Sequence, residues 1–382
     1  MENTFFAHRF FLVFTKLLVL YILENLVIEL TKQIIKDLEE LSQIVGVASR
    51  EKRVVKAIQK KIKGLADKIE IDISGNLIVT INGTEDNGPV LMLDAHTDEI
   101  GLMVRHITSD GFIYFAKIGG FIDLLFSGQT VIFVPDDESK KPVYGVIGLK
   151  PPHITRGEVK IPKADDLAVD IGAASAEEAA KWGIEIGTTG TLVGEFKKKP
   201  NGRVIGKAFD DRTGCVILIE ILRRLAENRP LGTIVFNFAS GEEVGARGAT
   251  TAAYTIEPDM ALAIENTTAG DTPGVSPHEC PTKLGDGPAI TVADRSLIVN
   301  EKIVTLLKKL AKENKIPYQY KKPLSGGTDA GRIALVRGGI PAGVVSVPCR
   351  YIHSPISLLD TKDIERTCDL VEAFTRSFHE IL

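Results

Sequence analysis

Four short apolar runs, separated by segments with helical spacing, limit the possible folds of this 382-residue chain most strongly. Each run has the length and composition of a buried strand, and each is followed by polar or charged residues. This alternation predicts an α/β fold with a central mixed sheet flanked by helices. The runs are VLML at Val90–Leu93, TIVFNFA at Thr233–Ala239, DMALAIEN at Asp259–Asn266 and AGVVSVP at Ala342–Pro348.

The helical segments carry apolar residues at three- and four-residue steps. The spacing of Ile34, Leu38 and Leu41 predicts one helix over about residues 28–63 that packs on the sheet. A second amphipathic helix is predicted over residues 300–315, and the chain ends in a third from about Lys362.

A different pattern occupies residues 102–204, where short alternating runs are separated by turn-forming glycine, proline and aspartate. It predicts an inserted, β-rich, barrel-like domain. The α/β domain is therefore expected to consist of residues 28–101 and 205–382, and residues 1–27 to form an apolar extension outside it.

The composition argues against several classes of partner. A formal charge of -4 and a pI near 6.1 provide no basic field for nucleic acid. The apolar N-terminal segment is interrupted by Arg9 and Lys16, so we expect no stable membrane insertion, and it lacks a recognisable cleavage site. Four scattered cysteines show no zinc or disulfide spacing, which favours a cytoplasmic location.

Polar side chains gather where the apolar runs end, and each has an ordinary reading when taken alone. An isolated Glu-Glu pair such as Glu242 and Glu243 is usually solvated, and Asp210 alone is better explained as a helix cap. His96 alone is as easily a hydrogen-bonded histidine as a ligand. Glu265 alone is unusual, because a buried carboxylate is costly unless it is paired.

Taken together, these side chains have the chemistry of a metal site. Two histidines and several carboxylates at strand ends suit zinc, cobalt or manganese. Two such ions, about 3.5 to 4 Å apart, would activate a water and polarise a carbonyl. The full set is His96, Asp98, Asp210, Glu242, Glu243, Glu265 and His353.

The motifs around these residues resemble those of the glutamyl and tetrahedral aminopeptidases, dinuclear metallopeptidases of which some members were named endoglucanases. The resemblance covers about residues 30–382 and rests on HTDEIG, FDDRTG, GEEVG, AGDTPG, SGGTDAG and YIHSP in that order. It implies a catalytic α/β domain interrupted by a β-rich dimerisation domain, and a homododecamer shaped as a hollow tetrahedron.

The resemblance also implies a role for each residue. His96 and His353 resemble the terminal ligands of the two metals, and Asp210 the bridging ligand, followed by a cis peptide bond. Glu243 resembles a ligand of one ion. Glu242 is similar to the general base that takes a proton from the attacking water, and Asp98 to the carboxylate that orients His96.

One ligand departs from the family pattern. The family usually has aspartate where this chain has Glu265, and in related dinuclear peptidases glutamate there accompanies carboxypeptidase activity.

The site residues and the resemblance together predict a metal-dependent aminopeptidase that acts on short peptides with two divalent ions, zinc or cobalt. The alternatives are a carboxypeptidase or other amidohydrolase, an endoglucanase-type glycosidase, and a peptide-binding scaffold without activity.

Overall fold

The computed structural model describes residues 29–154, 161–322 and 326–382. The predicted extension over residues 1–27 lies outside these ranges. Within them, no helix combines the length and hydropathy that crossing a bilayer would require.

The helices of the described chain differ widely in length, and polar side chains cap the N-termini of several of them. Asn300 and Asp360, for example, accept hydrogen bonds from the backbone amides two residues later. The helices are α1 (29–43 in the described part), α2 (Lys52–Lys61), α3 (Ala176–Lys181), α4 (Phe209–Glu227), α5 (Arg247–Ile256), α6 (Glu301–Glu313), α7 (Asp329–Ile333) and α8 (Thr361–Ser377).

The strands form a central sheet, a closed barrel and a small three-stranded sheet. In chain order they are β1 (Lys68–Ile71), β2 (Leu77–Ile81), β3 (Val90–His96), β4 (Gly101–Ile107), β5 (Ile113–Ile118), β6 (Thr130–Val134), β7 (Val143–Ile147), β8 (Ala168–Asp170), β9 (Thr189–Leu192), β10 (Lys197–Lys198), β11 (Arg203–Gly206), β12 (Thr233–Ala239), β13 (Met260–Thr268), β14 (Ala289–Ile290), β15 (Gln319–Tyr320), β16 (Ala342–Cys349) and β17 (Ser357–Asp360).

The central sheet is mixed and has eight strands in the order β1-β2-β12-β3-β13-β16-β14-β15. Its middle strands β12, β3, β13 and β16 run parallel, whereas β2 and β14 run antiparallel to their inner neighbours. All four apolar runs of the sequence lie in these parallel strands. The predicted mixed sheet is therefore confirmed, and its parallel strands direct their carboxyl ends to one edge.

Helices cover both faces of the sheet and create two cores. On one face, α1, α2, α4, α6 and α8 contribute large aliphatic and aromatic side chains, among them Leu38, Leu222 and Phe374. On the other face, α5 and α7 pack closely through small residues such as Ala252 and Ala330. Burial on both faces explains why the parallel strands are apolar throughout.

The inserted module is a closed antiparallel barrel with strand order β4-β5-β8-β7-β6-β9. Its interior has a core of its own, which includes Phe115, Phe126 and Phe133. The predicted β-rich, barrel-like insertion is confirmed as an element of the fold.

The single helix predicted over about residues 28–63 is wrong, because a loop separates α1 from α2. In that loop, a Cβ on Gly46 would come within 2.9 Å of the Arg212 guanidinium. The fully buried Arg212 donates hydrogen bonds to the backbone oxygens of Leu41 and Ile44. The break therefore comes from a tertiary contact that helical periodicity does not encode.

Candidate metal centre

The predicted site residues meet at the carboxyl edge of the parallel strands. Ligands commonly gather at this edge in α/β sheets, because several strand ends and their loops converge there. His96 ends β3, Asp210 lies at the start of α4, Glu242 and Glu243 follow β12, Glu265 lies in β13, and His353 follows β16.

Asp210 occupies the centre of the cluster. Its Oδ1 lies 3.5 Å from Nε2 of His96, and its Oδ2 lies 3.3 Å from Nε2 of His353. One carboxylate therefore faces two imidazoles with its two separate oxygens. This is the arrangement expected of a bridging ligand.

Glu243 and Glu265 each lie close to one of the two histidines. Oε1 of Glu243 lies 3.5 Å from Nε2 of His353, and Oε2 of Glu265 lies 3.9 Å from Nε2 of His96. The cluster contains overlapping sets of three donors that lie within 4.8 Å of one another: His96, Asp210 and Glu265; Asp210, Glu243 and His353; and His96, Glu242 and Glu243.

The backbone around the central aspartate is unusual. A cis peptide bond joins Asp210 to Asp211, as the family resemblance implied, and the preceding Ala208 has a positive φ of 52°. The buried carboxylate of Asp211 accepts hydrogen bonds from the backbone amides of Gly214 and His96, at 3.0 and 3.3 Å. Asp211 thus ties the start of α4 to the end of β3.

Each histidine is oriented through the ring nitrogen that faces away from Asp210. Nδ1 of His96 lies 3.4 Å from Oδ1 of Asp98 and 3.2 Å from the Asp98 backbone oxygen. Nδ1 of His353 lies 3.1 Å from the backbone oxygen of Gly120, in the connection between β5 and β6. Such contacts fix the tautomer and leave Nε2 free to bind a metal.

Sequence reasoning missed Gly120, because its contribution is a backbone oxygen. The pair of glycines after an apolar strand, at Gly119 and Gly120, was the available signal of a close backbone approach. A Cβ at position 120 would lie 2.9 Å from Nδ1 of His353, so any larger residue would displace the imidazole.

In the metal-free cluster, the pKa values of several side chains lie far from their usual values. Burial raises the pKa of Glu242 to about 7 and that of Glu243 to about 8. Burial opposes the shift of Asp210, but hydrogen bonds to His353 and His96 keep the pKa of its carboxyl well below the usual range. Despite burial, Asp210 and Glu243 raise the pKa of His353 to about 9.

The donor set fits divalent metal ions. Within the described residues, the ion pairs of Asp210, Glu242, Glu243 and Glu265 are made only with His96 and His353. Four clustered carboxylates therefore lack a lysine or arginine partner, and their burial favours a cation between them. Mixed oxygen and imidazole donors suit zinc, cobalt or manganese.

The cluster opens into a cavity of about 600 Å³. Its lining includes Gly327 and Thr328 from the SGGTDAG motif, whose Ser325 lies outside the described residues, together with the half-buried Lys321. The motif therefore lines the cavity. The volume is large enough to admit the end of a peptide.

Comparisons with known sequences agree with this geometry. A model of the M42 glutamyl aminopeptidase family matches residues 75–370. The lysyl aminopeptidase of Pyrococcus furiosus is 34% identical over 320 residues, which cover 82% of this chain and 88% of that protein. The glutamyl aminopeptidase of Lactococcus lactis subsp. cremoris is 31% identical over 343 residues, which cover 89% and 95%.

Comparisons with solved structures extend the similarity to the whole fold. Aminopeptidase APDkam598 of Desulfurococcus kamchatkensis superposes with a TM-score of 0.86 at 37% identity, covering 91% of this chain and 95% of that chain. The Pyrococcus horikoshii TET1 peptidase, which can assemble into a tetrahedron or a large octahedral shell, gives 0.81 at 33%, covering 90% and 99%. A Thermotoga maritima structure named endoglucanase gives 0.74 at 34%, covering 90% and 98%.

Proposed function

The chain belongs to the M42 glutamyl aminopeptidase family and is a metalloaminopeptidase, and from this premise we propose that it removes N-terminal residues from short peptides at a dinuclear centre. The observation that carries the proposal is the position of Asp210 between two imidazoles, 3.5 Å from His96 and 3.3 Å from His353. A single ion would leave one of these histidines without a metal.

The proposed centre holds two divalent ions, zinc or cobalt, through five side chains. When bound, the ions supply Lewis acidity, which polarises a peptide carbonyl and lowers the pKa of water toward neutrality. Asp210 would contribute a ligand to both ions. His96 and Glu265 would hold one ion, and Glu243 and His353 would hold the other.

The adjacent glutamates divide into base and ligand. Both glutamates line the cavity, but the side chain of Glu242 is 18% exposed, whereas that of Glu243 is only 5% exposed and lies against His353. Water and substrate therefore reach Glu242 more easily. A carboxylate in this position can take a proton from the attacking water and return it to the leaving amine.

The same residues weigh against the glycosidase alternative. A glycosidase needs two carboxylates and no metal, so His96 and His353 would have no function in it. The carboxypeptidase alternative rests on Glu265 alone, and the related aminopeptidases favour cleavage at a free N-terminus.

Assembly is the next part of the proposal. We infer that the chain forms a homododecamer in the cytoplasm, with residues 102–204 as a dimerisation domain inserted between the two catalytic segments. Tyr144 and Val146 support this role, because these large side chains on β7 are 60% and 50% exposed on the outer surface of the barrel. A related solved structure, PhTET1-12s, is a dodecamer.

The decisive experiment combines metal analysis with a Glu242→Gln variant. Two ions per chain are expected in both proteins, and turnover of aminoacyl chromogenic substrates should fall by about 10²- to 10⁴-fold in the variant. Exhaustive chelation should abolish the wild-type activity. Activity that survives chelation would refute the metal mechanism, and a variant that loses its ions would reverse the roles of the two glutamates.

A further inference from the structure

Four consecutive backbone amides in the loop after β12 are held by side-chain oxygens from distant parts of the chain. This loop carries both catalytic glutamates, so its position sets the direction of their side chains. The contacts run from Ser240 to Asn76 at 2.9 Å, from Gly241 to Glu51 at 3.0 Å, and from Glu242 and Glu243 to the two oxygens of Asp98 at 3.0 and 3.1 Å.

Glu51 is the unexpected member of this set. It is only 5% exposed, and it occupies the cap position at the start of α2. A carboxylate there would ordinarily accept hydrogen bonds from the first amides of its own helix. The side chain of Glu51 makes no such bond, and its Oε1 instead accepts from the amides of Ser49 and Gly241, at 2.8 and 3.0 Å.

The contact falls on a glycine of this loop, whose backbone is freer than that of other residues. Gly241 has a positive φ of 66°, and glycine pays the largest entropic cost when its conformation is fixed. Gly241 joins Ser240, which directly follows β12, to Glu242. A fixed amide at this point therefore limits how far the two glutamates can turn relative to β12.

We propose that Glu51 is a positioning residue for catalysis, which holds the Gly241 amide and thereby aims Glu242 and Glu243 at the centre. This inference rests on the roles proposed above for the two glutamates. Glu51 does not touch the cluster itself: within the described chain its side-chain hydrogen bonds go to backbone amides only. Its effect must therefore pass through the loop.

The test compares Glu51→Gln with Glu51→Leu. Glutamine keeps an oxygen that can accept the Gly241 amide, so it should retain most of the wild-type kcat. Leucine has a similar size but no acceptor, so kcat should fall by about 10- to 100-fold with little change in KM, because the loop moves while the substrate cavity stays. Amide hydrogen exchange over residues 240–243 should become faster in the leucine variant alone.

A matched control separates this effect from a general loss of stability. Asp363 is also a buried carboxylate that accepts two backbone amides, from Gly285 and Gly287 at 2.7 and 2.9 Å, and it does not line the cavity. Asp363→Leu should lower the melting temperature and leave kcat unchanged. Glu51→Asp, whose carboxylate is one methylene short, provides a second test if the leucine variant fails to fold.

Each outcome decides the proposal. Wild-type kcat in Glu51→Leu overturns it, whether or not exchange becomes faster, and so does an equal loss of kcat in Glu51→Gln. Loss in the leucine or aspartate variant, with rescue by glutamine, supports it. Glu242→Gln, measured in parallel, tests the proposed base separately: if that variant stays active, the function assigned to Glu242 fails, while hydrogen exchange still reports whether Glu51 holds the loop.

Discussion

Oδ1 of Asp98 accepts a hydrogen bond from the backbone amide of Glu242 at 3.0 Å, so the residue that faces His96 also holds the loop after β12. Its Oδ2 accepts the amide of Glu243 at 3.1 Å. Asparagine would keep only one acceptor oxygen. We therefore expect Asp98→Asn to lower kcat and metal affinity by about 10- to 100-fold. Steady-state kinetics and metal titration measure both, and wild-type values for both would contradict the dual role.

Glu265→Asp tests the departure from the family pattern. Oε1 of Glu265 accepts the backbone amide of Asp329 at 3.3 Å, while Oε2 faces His96 at 3.9 Å. Aspartate is shorter by one methylene and cannot maintain both contacts. We expect metal affinity to fall about 10- to 100-fold, with N-terminal cleavage retained at saturating metal. Cleavage of N-blocked dipeptides by the wild type, lost in the variant, would favour the carboxypeptidase.

The free energy of unfolding of the metal-free protein should decrease as the pH rises. Glu242 and Glu243 have pKa values raised by burial to about 7 and 8, above the 4.5 of an ordinary glutamate. The folded state therefore binds more protons than the unfolded state between about pH 5 and 8, and the free energy of unfolding falls as pH rises through that window. His353, with a pKa raised to about 9, adds a decrease of the same sign between about pH 6.5 and 9.

Bound metal should remove much of this dependence, because it holds the carboxylates deprotonated and the imidazoles neutral at all these pH values. Thermal melts from pH 5 to 9, with chelator and with added zinc, measure the two profiles. Parallel profiles would mean that metal does not bind to these groups.

Val146→Glu tests the role of the barrel in assembly. Val146 is half-exposed on β7, and a charge buried in an interface is costly unless it is paired. We expect a smaller particle by light scattering. Val146→Thr has nearly the same shape and should keep the wild-type mass. An unchanged mass in the glutamate variant would place the main contacts elsewhere.

Lys321 is expected to influence which N-terminal residue is preferred. It lines the cavity, where the cluster carboxylates also lie. With the cluster carboxylates bound to metal, it remains as a positive charge facing the substrate. Acidic aminoacyl substrates should therefore be cleaved better than basic ones, and Lys321→Glu should reverse the ratio of kcat/KM. A ratio that does not change would exclude this side chain from the specificity pocket.

Much of the site could be predicted from the sequence, because its residues follow recognisable elements. His96 and Glu265 end or interrupt apolar runs that only a buried strand explains, and Glu242 and Glu243 follow another such run. Parallel strands bring these ends together regardless of the distance between them along the chain. The order of the motifs then identified the family, which the comparisons confirm.

Other features of the site and of the fold depend on contacts between distant residues, which leave no periodic pattern in the sequence. Glu51 lies in a polar segment where a glutamate is unremarkable, and its contact with Gly241 spans 190 positions of the chain. Arg212 donates hydrogen bonds to the backbone oxygens of Leu41 and Ile44, where α1 ends and the loop to α2 begins, and the local sequence gives no sign of this contact. The order of the barrel strands likewise follows from closure of the sheet, which local alternation of apolar residues does not encode.

The hydrogen bond between Gly120 and His353 has a consequence for protein engineering. The barrel connection supplies the backbone oxygen that lies 3.1 Å from Nδ1 of His353, so the insertion forms part of the proposed metal centre. A chimera that receives a barrel from another protein would need a glycine at the same place, with its carbonyl aimed at the same ring. Transplanted modules without it would leave that imidazole free to rotate, even if the hybrid folded and assembled normally.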